Sequence, residues 1–188
     1  MARFLIRELG AETWPDFERI MEKHNGVYGG CWCVAFHLER SMGKMWSGRH
    51  RELKERLVQA NRSHAALVYD RADVVGWCQF GPPAELPARM SGYKKLDEAP
   101  PDWRITCFFI DRDRRKEGVA KAALSGALRL IAAKGGGTVD AYPIDPRGKP
   151  YSRAMWEGTK SMFDSAGFRA LGHLGTSKLL MRKTVRKL

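Results

Sequence analysis

A mostly charged turn stands between a β-prone run and a run of strong helix formers in the second half of the chain. Residues 103–110 are largely β-branched and aromatic, residues 111–118 are mostly charged, and residues 119–133 are rich in Ala and Leu. These compositions predict a strand, a turn and a helix. At the start of such a helix the backbone NH groups have no partner within the helix, and the helix dipole adds positive potential. The unit is therefore suited to receive a phosphate.

The turn ends in the segment RKEGVA, residues 115–120. Gly118 lets the backbone approach an anion, Ala120 keeps the start of the helix uncrowded, and Arg115 and Lys116 add positive charge. The segment is neither a Walker loop, which ends in Gly-Lys-Ser/Thr, nor a GxGxxG dinucleotide fingerprint. Taken by itself, it leaves an ordinary basic turn with a glycine hinge as the alternative to a phosphate site.

Outside this unit, hydrophobic periodicity predicts further strands and helices in mixed order. Strands are predicted at residues 3–8, 65–69, 74–80, 138–142, 168–171 and 179–185, and helices at residues 11–24, 46–60 and 155–166. The polar residues 70–73 between two of these strands have the length of a hairpin turn. We therefore expect an α/β (α+β) fold, with a central mixed, mostly antiparallel sheet flanked by helices on both faces.

The size of the chain predicts one domain. A length of 188 residues is enough to bury a single core, so we expect residues 1–188 to form a single domain. No apolar run approaches the roughly 20 residues that cross a bilayer, so we expect no membrane partner. The N-terminus mixes apolar and charged residues and lacks an apolar signal core, which indicates a cytoplasmic protein.

The charge balance favours anionic partners. The chain has 33 Lys and Arg against 21 Asp and Glu, a net charge of +12. A phosphorylated cofactor, an acidic substrate and nucleic acid all fit this charge. The densest basic cluster, residues 182–188, is interpreted as a solvated tail, with nucleic-acid binding as the less favoured alternative.

With these elements in place, the chain resembles the GNAT superfamily of N-acetyltransferases. The coenzyme A site of that family is a [Gln/Arg]-x-x-Gly-x-[Gly/Ala] turn after the fourth strand, which Arg115, Gly118 and Ala120 match. Gly167 and Phe168 match the family's Gly-Phe step from the last major helix into the next strand. The resemblance extends over residues 3–185. It implies acetyl-CoA as the cosubstrate and, through a subgroup described below, a bacterial origin.

The resemblance also implies how acetyl-CoA binds and reacts. The fourth strand would splay from its neighbour and leave backbone groups of Phe108 and Ile110 free for the acetyl carbonyl and the pantetheine arm. A primary amine of a small molecule, peptide or protein would then attack the thioester directly, with a backbone NH stabilising the developing oxyanion. The cofactor-binding residues implied in this way are Phe108, Ile110, Arg115, Lys116, Glu117, Gly118, Val119 and Ala120.

Two positions depart from the family pattern. Many members carry a tyrosine five residues before the final phenylalanine as the acid for the departing thiolate, and this chain has Phe163 there. The asparagine that often opens the same helix is replaced by Trp156. A water or a nearby hydroxyl is the remaining source of the proton.

The general base is also open. The family's usual base positions on the fourth strand hold Thr106 and Arg104, and neither side chain is a useful base at neutral pH. His37, Glu85 and a water relay are the candidates. For the two side chains the alternative is an exposed or locally hydrogen-bonded polar residue.

The four cysteines do not predict a metal site. Cys31 and Cys33 form a CxC segment, whereas zinc sites usually space paired cysteines by two to four residues and need a second pair. Cys78 and Cys107 are scattered elsewhere. We expect reduced, largely buried thiols, with redox sensing or a place in the acceptor pocket as alternatives.

The cysteine segments are similar to those of a bacterial subgroup of GNAT-like proteins, which carries Cys-Trp-Cys, Gly-Trp-Cys and Cys-Phe-Phe. Trp32, Trp46 and Trp77 lie in segments that resemble the family's acceptor side. They fit either an aromatic pocket for an apolar or cationic amine, or core packing.

Two functions follow as hypotheses. The first is an acyl-CoA-dependent N-acyltransferase that moves an acetyl group to a primary amine. The second is a non-catalytic module on the same fold that binds coenzyme A or nucleic acid, which the Phe163 position and the charge of +12 favour. Nucleic acid is the less expected partner, and a homodimer is compatible with the resemblance.

Overall fold

The computed structural model describes residues 4–38, 47–88, 92–145 and 156–188. Within them, seven strands form one sheet and four α-helices pack against it. The strands are β1 (Leu5–Glu8), β2 (His64–Asp70), β3 (Asp73–Gly81), β4 (Trp103–Ile110), β5 (Gly137–Ala141), β6 (Arg169–Leu174) and β7 (Lys178–Val185), and the helices are α1 (Trp14–Lys23), α2 (His50–Gln59), α3 (Val119–Ala133) and α4 (Lys160–Ser165).

The sheet is mixed and mostly antiparallel, as predicted. Its strand order is β1-β2-β3-β4-β5-β7-β6. Strands β4 and β5 run parallel, because α3 crosses between them, and every other neighbouring pair is antiparallel. The hairpin of β6 and β7 places β7 between β5 and β6.

Each face of the sheet is covered by its own helices, which confirms the predicted layers. Helices α1 and α2 bury apolar side chains such as Phe17 and Val58 against one face, where Trp77 and Phe109 lie. Helices α3 and α4 bury Leu124, Ile131 and Phe163 against the other face, where Phe108 and Phe168 lie. Successive residues of β4 thus supply both cores, as the alternation of side chains along a strand requires.

Helices α1, α2 and α4 are shorter than the sequence predicts, whereas α3 has the predicted bounds. Helix α4 begins at Lys160 instead of at residue 155, because Gly158 adopts the left-handed φ of +79° and the Thr159 hydroxyl caps the helix by accepting from the Met162 NH at 3.3 Å. Position 155 lies outside the described residues. Trp156 therefore precedes the helix instead of opening it. Helix α2 begins at His50, and position 46 also lies outside the described residues.

Among the described residues, no helix has the length and apolar character needed to cross a membrane.

Candidate functional site

The centre of the site is the point where β4 and β5 part. The two strands pair only through residues 103–105 of β4 and 139–141 of β5. Residues 107–110 of β4 continue to pair with β3 on the other side, and Thr106 falls at an irregularity of that ladder. The backbone edge of residues 106–110 therefore faces an opening in the sheet, as the sequence analysis expected.

The backbone of Phe108 faces this opening. Asp111 NH donates to the carbonyl of Val75 in β3 at 3.0 Å, so the alternation along the strand turns the NH and carbonyl groups of Phe108 and Ile110 away from β3. The expectation that these groups are free is wrong for Phe108. Its NH donates to the carbonyl of Trp156 at 2.6 Å, and its carbonyl accepts from the Tyr28 hydroxyl at 2.6 Å.

Directly after β4, the basic turn leads into α3 as predicted. A 3-10 helix spans Arg112–Arg114, and Gly118 is the N-cap of α3 with a left-handed φ of +86°. A β-carbon on Gly118 would meet no atom within 4 Å, so the backbone there borders open space. The side chains of Arg115 and Lys116 are exposed beside it. This combination of open backbone and positive charge suits an anion.

A second arginine holds the turn in place. Arg114 binds the carboxylate of Asp70 at the end of β2 and that of Glu117, the latter at 3.1 Å. The Glu117 side chain is therefore engaged, and its carboxylate is neutralised by an arginine. At the start of α3 the apolar side chains of Val119 and Ala120 are buried and half-buried, respectively. What these two residues can contribute to the site is therefore their backbone groups.

On the α1–α2 side of the opening lies an apolar pocket of about 430 Å³. Its described lining residues are Tyr28, Cys31, Cys33, Ala35, Phe36, Cys107 and Trp156. The ring centroids of Tyr28 and Trp156 are 5.5 Å apart, so the two rings lie side by side in the lining of the pocket. The same two residues bond to the Phe108 backbone, Tyr28 through its hydroxyl and Trp156 through its carbonyl. We refer to this cavity as the thiol pocket.

The tryptophans expected on the acceptor side have other positions. Trp32 stacks on Trp14 with ring centroids 6.2 Å apart, and Trp77 is completely buried against Phe109. Both therefore serve core packing, and Trp46 lies outside the described residues. The tryptophan that lines the pocket is Trp156, which the sequence analysis did not place there.

Three of the four free cysteines line the pocket. The sulfur atoms of Cys33 and Cys107 are 3.2 Å apart. The hydrogen bond from Cys107, the Lys54 ammonium and Trp77 lower the pKa of Cys33 against the effect of burial, whereas the same hydrogen bond raises the pKa of Cys107. Burial raises the pKa of Cys31.

A buried chain of polar side chains lies behind the pocket wall. The ammonium of Lys54 is 1% exposed and donates to Ser63 at 2.7 Å and to the Gln79 carbonyl oxygen at 2.6 Å. Gln79 in turn donates to Thr106 at 3.1 Å. Burial lowers the pKa of Lys54 to about 8. Thr106, at one of the family's usual base positions, is thus hydrogen-bonded to Gln79 and through it to Lys54.

The two candidate bases do not line the thiol pocket. His37 is buried, and its Nδ1 donates to the backbone carbonyl of Glu85 at 2.8 Å while its Nε2 accepts from Ser63 at 3.2 Å. Burial lowers the pKa of His37 to about 3, so it is neutral and weakly basic. The Glu85 carboxylate lies 3.2 Å from His64 Nε2, away from the described lining of the pocket.

Arg104 and Phe163 have structural contacts. Arg104 donates to the carbonyl of Leu86 at 2.6 Å and so ties β4 to the segment after β3. Phe163 is completely buried, with ring centroids 6.0 Å from Phe108 and 5.0 Å from Phe168. A buried ring without a hydroxyl can pass no proton.

Within the described parts of the chain, no cluster of three or more His, Cys, Asp or Glu is arranged to hold a metal ion. Tyr28 and Lys54 were missed by the sequence analysis. Tyr28 stands in a glycine-rich loop and Lys54 on a helix that reads as charged and amphipathic, so no local pattern separates them from solvated residues. Their roles depend on contacts 80 and 25 residues away along the chain.

No family model matches the chain, and no curated protein matches its sequence. Solved structures do match it over nearly the full length. A protein assigned to the GNAT acetyltransferase family from Desulfovibrio desulfuricans is 16% identical, covers 97% of this chain and 99% of its own, and has a TM-score of 0.54.

Two further solved structures extend the likeness. An N-acetyltransferase from Staphylococcus aureus is 10% identical over 98% of this chain and 99% of its own, with a TM-score of 0.55. The PaiA N-acetyltransferase from Thermoplasma acidophilum, solved in complex with coenzyme A, is 14% identical over 96% and 98%, with a TM-score of 0.54. The parallel pair β4 and β5, the turn at Gly118 and these likenesses together show that the chain has the fold of the GNAT acetyltransferases.

Proposed function

We propose that the protein is an acyl-CoA-dependent N-acyltransferase that transfers an acetyl group from acetyl-CoA to a primary amine. The observation that carries this proposal is the divergence of β4 and β5 directly before the basic turn. The opening and the turn offer one ligand a backbone edge for its extended arm and a phosphate cradle for its charged end. The solved GNAT structure with coenzyme A supports the choice of cosubstrate.

The pyrophosphate of acetyl-CoA would bind the NH groups at the start of α3. Gly118 leaves the approach open, and the exposed Arg115 and Lys116 supply positive charge. Glu117 does not oppose the phosphates strongly, because Arg114 neutralises its carboxylate. The engaged Glu117 also stiffens the turn, so less ordering is needed when the ligand binds.

The thioester carbonyl would take the Phe108 NH as its hydrogen-bond donor. In the structure that donor is satisfied by the Trp156 carbonyl, so the ligand replaces one acceptor with another. As the amine attacks, the carbonyl oxygen becomes an oxyanion, and a fixed NH at this position contributes about 3 kcal/mol in comparable enzymes. The segment at Trp156 must move for this to happen.

Tyr28 is the proposed acid for the departing thiolate, in place of the tyrosine that Phe163 replaces. Its hydroxyl lies 2.6 Å from the Phe108 carbonyl, beside the backbone group that would hold the thioester. Burial raises the pKa of Tyr28, which keeps the phenol protonated and able to donate. Thiolate is a moderately weak base, so one well-placed proton donor is sufficient.

The acceptor would be a primary amine on a small apolar or aromatic group. The thiol pocket is walled by Tyr28, Trp156, Phe36 and three thiols, and no carboxylate is among its described lining residues. Such a wall favours a molecule with one amine and an uncharged body, and it offers no partner to a second cationic group.

Thermal unfolding with and without acetyl-CoA tests the proposal. A ligand at about 100 times its dissociation constant adds about 2.7 kcal/mol to the free energy of unfolding, which appears as a higher melting temperature. Loss of thioester absorbance with phenethylamine as the probe acceptor then reports transfer. No shift with acetyl-CoA, together with salt-dependent binding of RNA or DNA, would favour the binding-module hypothesis instead.

A further inference from the structure

A neighbouring thiol and a buried ammonium both act on the sulfur of Cys33. The Cys107 thiol is 3.2 Å from it, and the hydrogen bond between the two thiols lowers the pKa of Cys33. The Lys54 ammonium acts on the same sulfur by charge. A sulfur beside a hydrogen-bond donor and a buried positive charge is stabilised as the anion.

The charge of Lys54 needs such an anion. Its side chain is 1% exposed, and among the described residues no carboxylate is found with the groups that bond to it or act on its pKa. Ser63 and Gln79 satisfy two of its NH groups but carry no charge. Buried charges are normally paired, and the acidic groups that act on Lys54 are the thiols of Cys33, Cys107 and Cys31.

We propose that Cys33 is the general base of this transferase, holding a thiolate that takes the proton from the acceptor amine in the thiol pocket. Cys33 lines the pocket beside Cys107, and Tyr28 and Trp156 line the same pocket, in which the amine would lie next to the thioester. Lys54 and Cys107 are positioning residues, because they act on the substrate only through Cys33. This inference rests on the proposed acyltransferase function.

The proton and electron balance closes with the groups present. The amine nitrogen forms the new C–N bond, its proton passes to the Cys33 sulfur, and the C–S bond of the thioester breaks. The departing CoA thiolate takes the proton of Tyr28. The proton on Cys33 then returns through water to the Tyr28 oxygen, so the products are the amide and free CoA, and both side chains regain their starting states.

The other ionisable groups near the pocket are less suited to this task. Burial raises the pKa of Cys31 and of Tyr28, and the bond to Cys33 raises that of Cys107, so each of these three stays protonated. His37 is neutral and bonded through both ring nitrogens. Glu157, next to Trp156 in sequence, is paired with Lys178 and is not among the described lining residues.

Alkylation with iodoacetamide tests the thiolate without any need for an acceptor. Mass spectrometry of peptides after brief labelling would give the rate at Cys33 as a function of pH, with Cys31 as the internal comparison. We expect Cys33 to react with a lower apparent pKa than Cys31, and Lys54→Met to move the Cys33 midpoint upward. A Cys33 that does not react is out of reach of an amine of similar size, and that result would overturn the proposal.

Transfer to phenethylamine tests the role in catalysis. Cys33→Ser should lower kcat by about 10²-fold to 10⁴-fold and remove the acidic limb of the pH profile. Cys78→Ala, which removes a buried thiol outside the described lining of the pocket, should keep both. Lys54→Met should shift the acidic limb to higher pH, which a purely structural role of Lys54 would not do. An unchanged pH profile in Cys33→Ser overturns the proposal.

Two further readouts separate this inference from its alternatives. Acetyl-CoA binding, followed by thermal shift, should be retained in Cys33→Ser, whereas failure of the unaltered protein to bind acetyl-CoA would overturn the proposed function itself. Incubation with acetyl-CoA alone, followed by acid quenching, should leave Cys33 without an acetyl group. A rapidly formed acetyl-Cys33 that the amine then consumes would show a nucleophile instead of a base.

Discussion

The backbone NH of Phe108 donates to the carbonyl of Trp156 at 2.6 Å, across the gap where β4 has left β5. The bond joins the edge of β4 that β5 does not pair with to the segment that leads into α4. It satisfies a buried donor that would otherwise cost about 1–3 kcal/mol. A ligand that enters the opening must therefore supply an acceptor of its own when the Trp156 carbonyl moves.

The amide of Phe108 should report this exchange. On titration with acetyl-CoA, we expect the Phe108 amide resonance in a ¹⁵N NMR spectrum to shift strongly and that of Trp156 to shift with it. The amide of Leu67, in the middle of β2, should change little and serves as the control. A Phe108 resonance that does not move at saturation would place the thioester elsewhere.

Gly118 should tolerate a polar side chain but not an acidic one. In Gly118→Asp, a carboxylate would face the pyrophosphate, and we expect affinity for acetyl-CoA to fall by about 10²-fold or more from like-charge repulsion. Gly118→Asn is the matched control, because Asn has the same shape and tolerates the left-handed φ that Gly118 adopts. Isothermal titration calorimetry compares the two, and equal affinities would show that the phosphates do not lie at Gly118.

Removal of the Tyr28 hydroxyl should slow transfer without weakening CoA binding. We expect Tyr28→Phe to lower kcat by about 10²-fold, the usual contribution of a positioned acid. Tyr69→Phe is the control, because the Tyr69 hydroxyl also makes one hydrogen bond, to Asp16 at 2.9 Å, and Tyr69 is not among the described residues of the pocket. Steady-state kinetics of thioester loss measures both. Equal effects of the two variants would contradict the role of Tyr28.

Restoration of the family's tyrosine at position 163 should not rescue that variant. Phe163 is completely buried between Phe108 and Phe168, so Phe163→Tyr would bury a hydroxyl among aromatic rings at a cost of about 1–3 kcal/mol. We expect a lower melting temperature and no recovery of kcat in the double variant with Tyr28→Phe. Recovery of kcat would show that position 163 can reach the leaving group.

The stability of the protein should depend on pH through Lys54. Burial lowers its pKa to about 8, so in the folded state Lys54 releases its proton at lower pH than in the unfolded chain. Between these two pKa values the unfolded state binds more protons, and the free energy of unfolding rises with pH. The free energy of unfolding of the unaltered protein, relative to that of Lys54→Met, should therefore be higher at about pH 10 than at about pH 7.5. Chemical denaturation at the two pH values measures it. A constant difference would mean that the pKa of Lys54 is the same in the folded and the unfolded protein.

The turn at residues 115–120 could be predicted because its signal is local. A glycine, two adjacent basic residues and the change from strand to helix composition all lie within a few positions. The departure of β4 from β5 came only with the family resemblance, since no residue pattern marks where two strands part. The occupied NH of Phe108 was missed because its partner, Trp156, lies 48 residues away and was assigned to a helix.

The sequence could not decide between the candidate bases and their alternatives for a similar reason. His37 and Glu85 are the kinds of side chain that accept protons, but burial and hydrogen bonds decide whether they can. The fold turns His37 into a neutral link between Ser63 and a backbone carbonyl. The fold also brings Cys33 into contact with Cys107, which is 74 positions away in the sequence. The spacing of the cysteines gave no sign of this contact.

Because β4 sends Phe108 to one core and Cys107 to the other, the strand tolerates changes of side chain better than changes of length. Insertion of one residue before Cys107 would exchange the faces and move the sulfur away from Cys33. Insertion of two residues would restore the faces but displace the turn by about 7 Å relative to the pocket. Homologues that share both the pocket and the turn should therefore align through β4 without a gap.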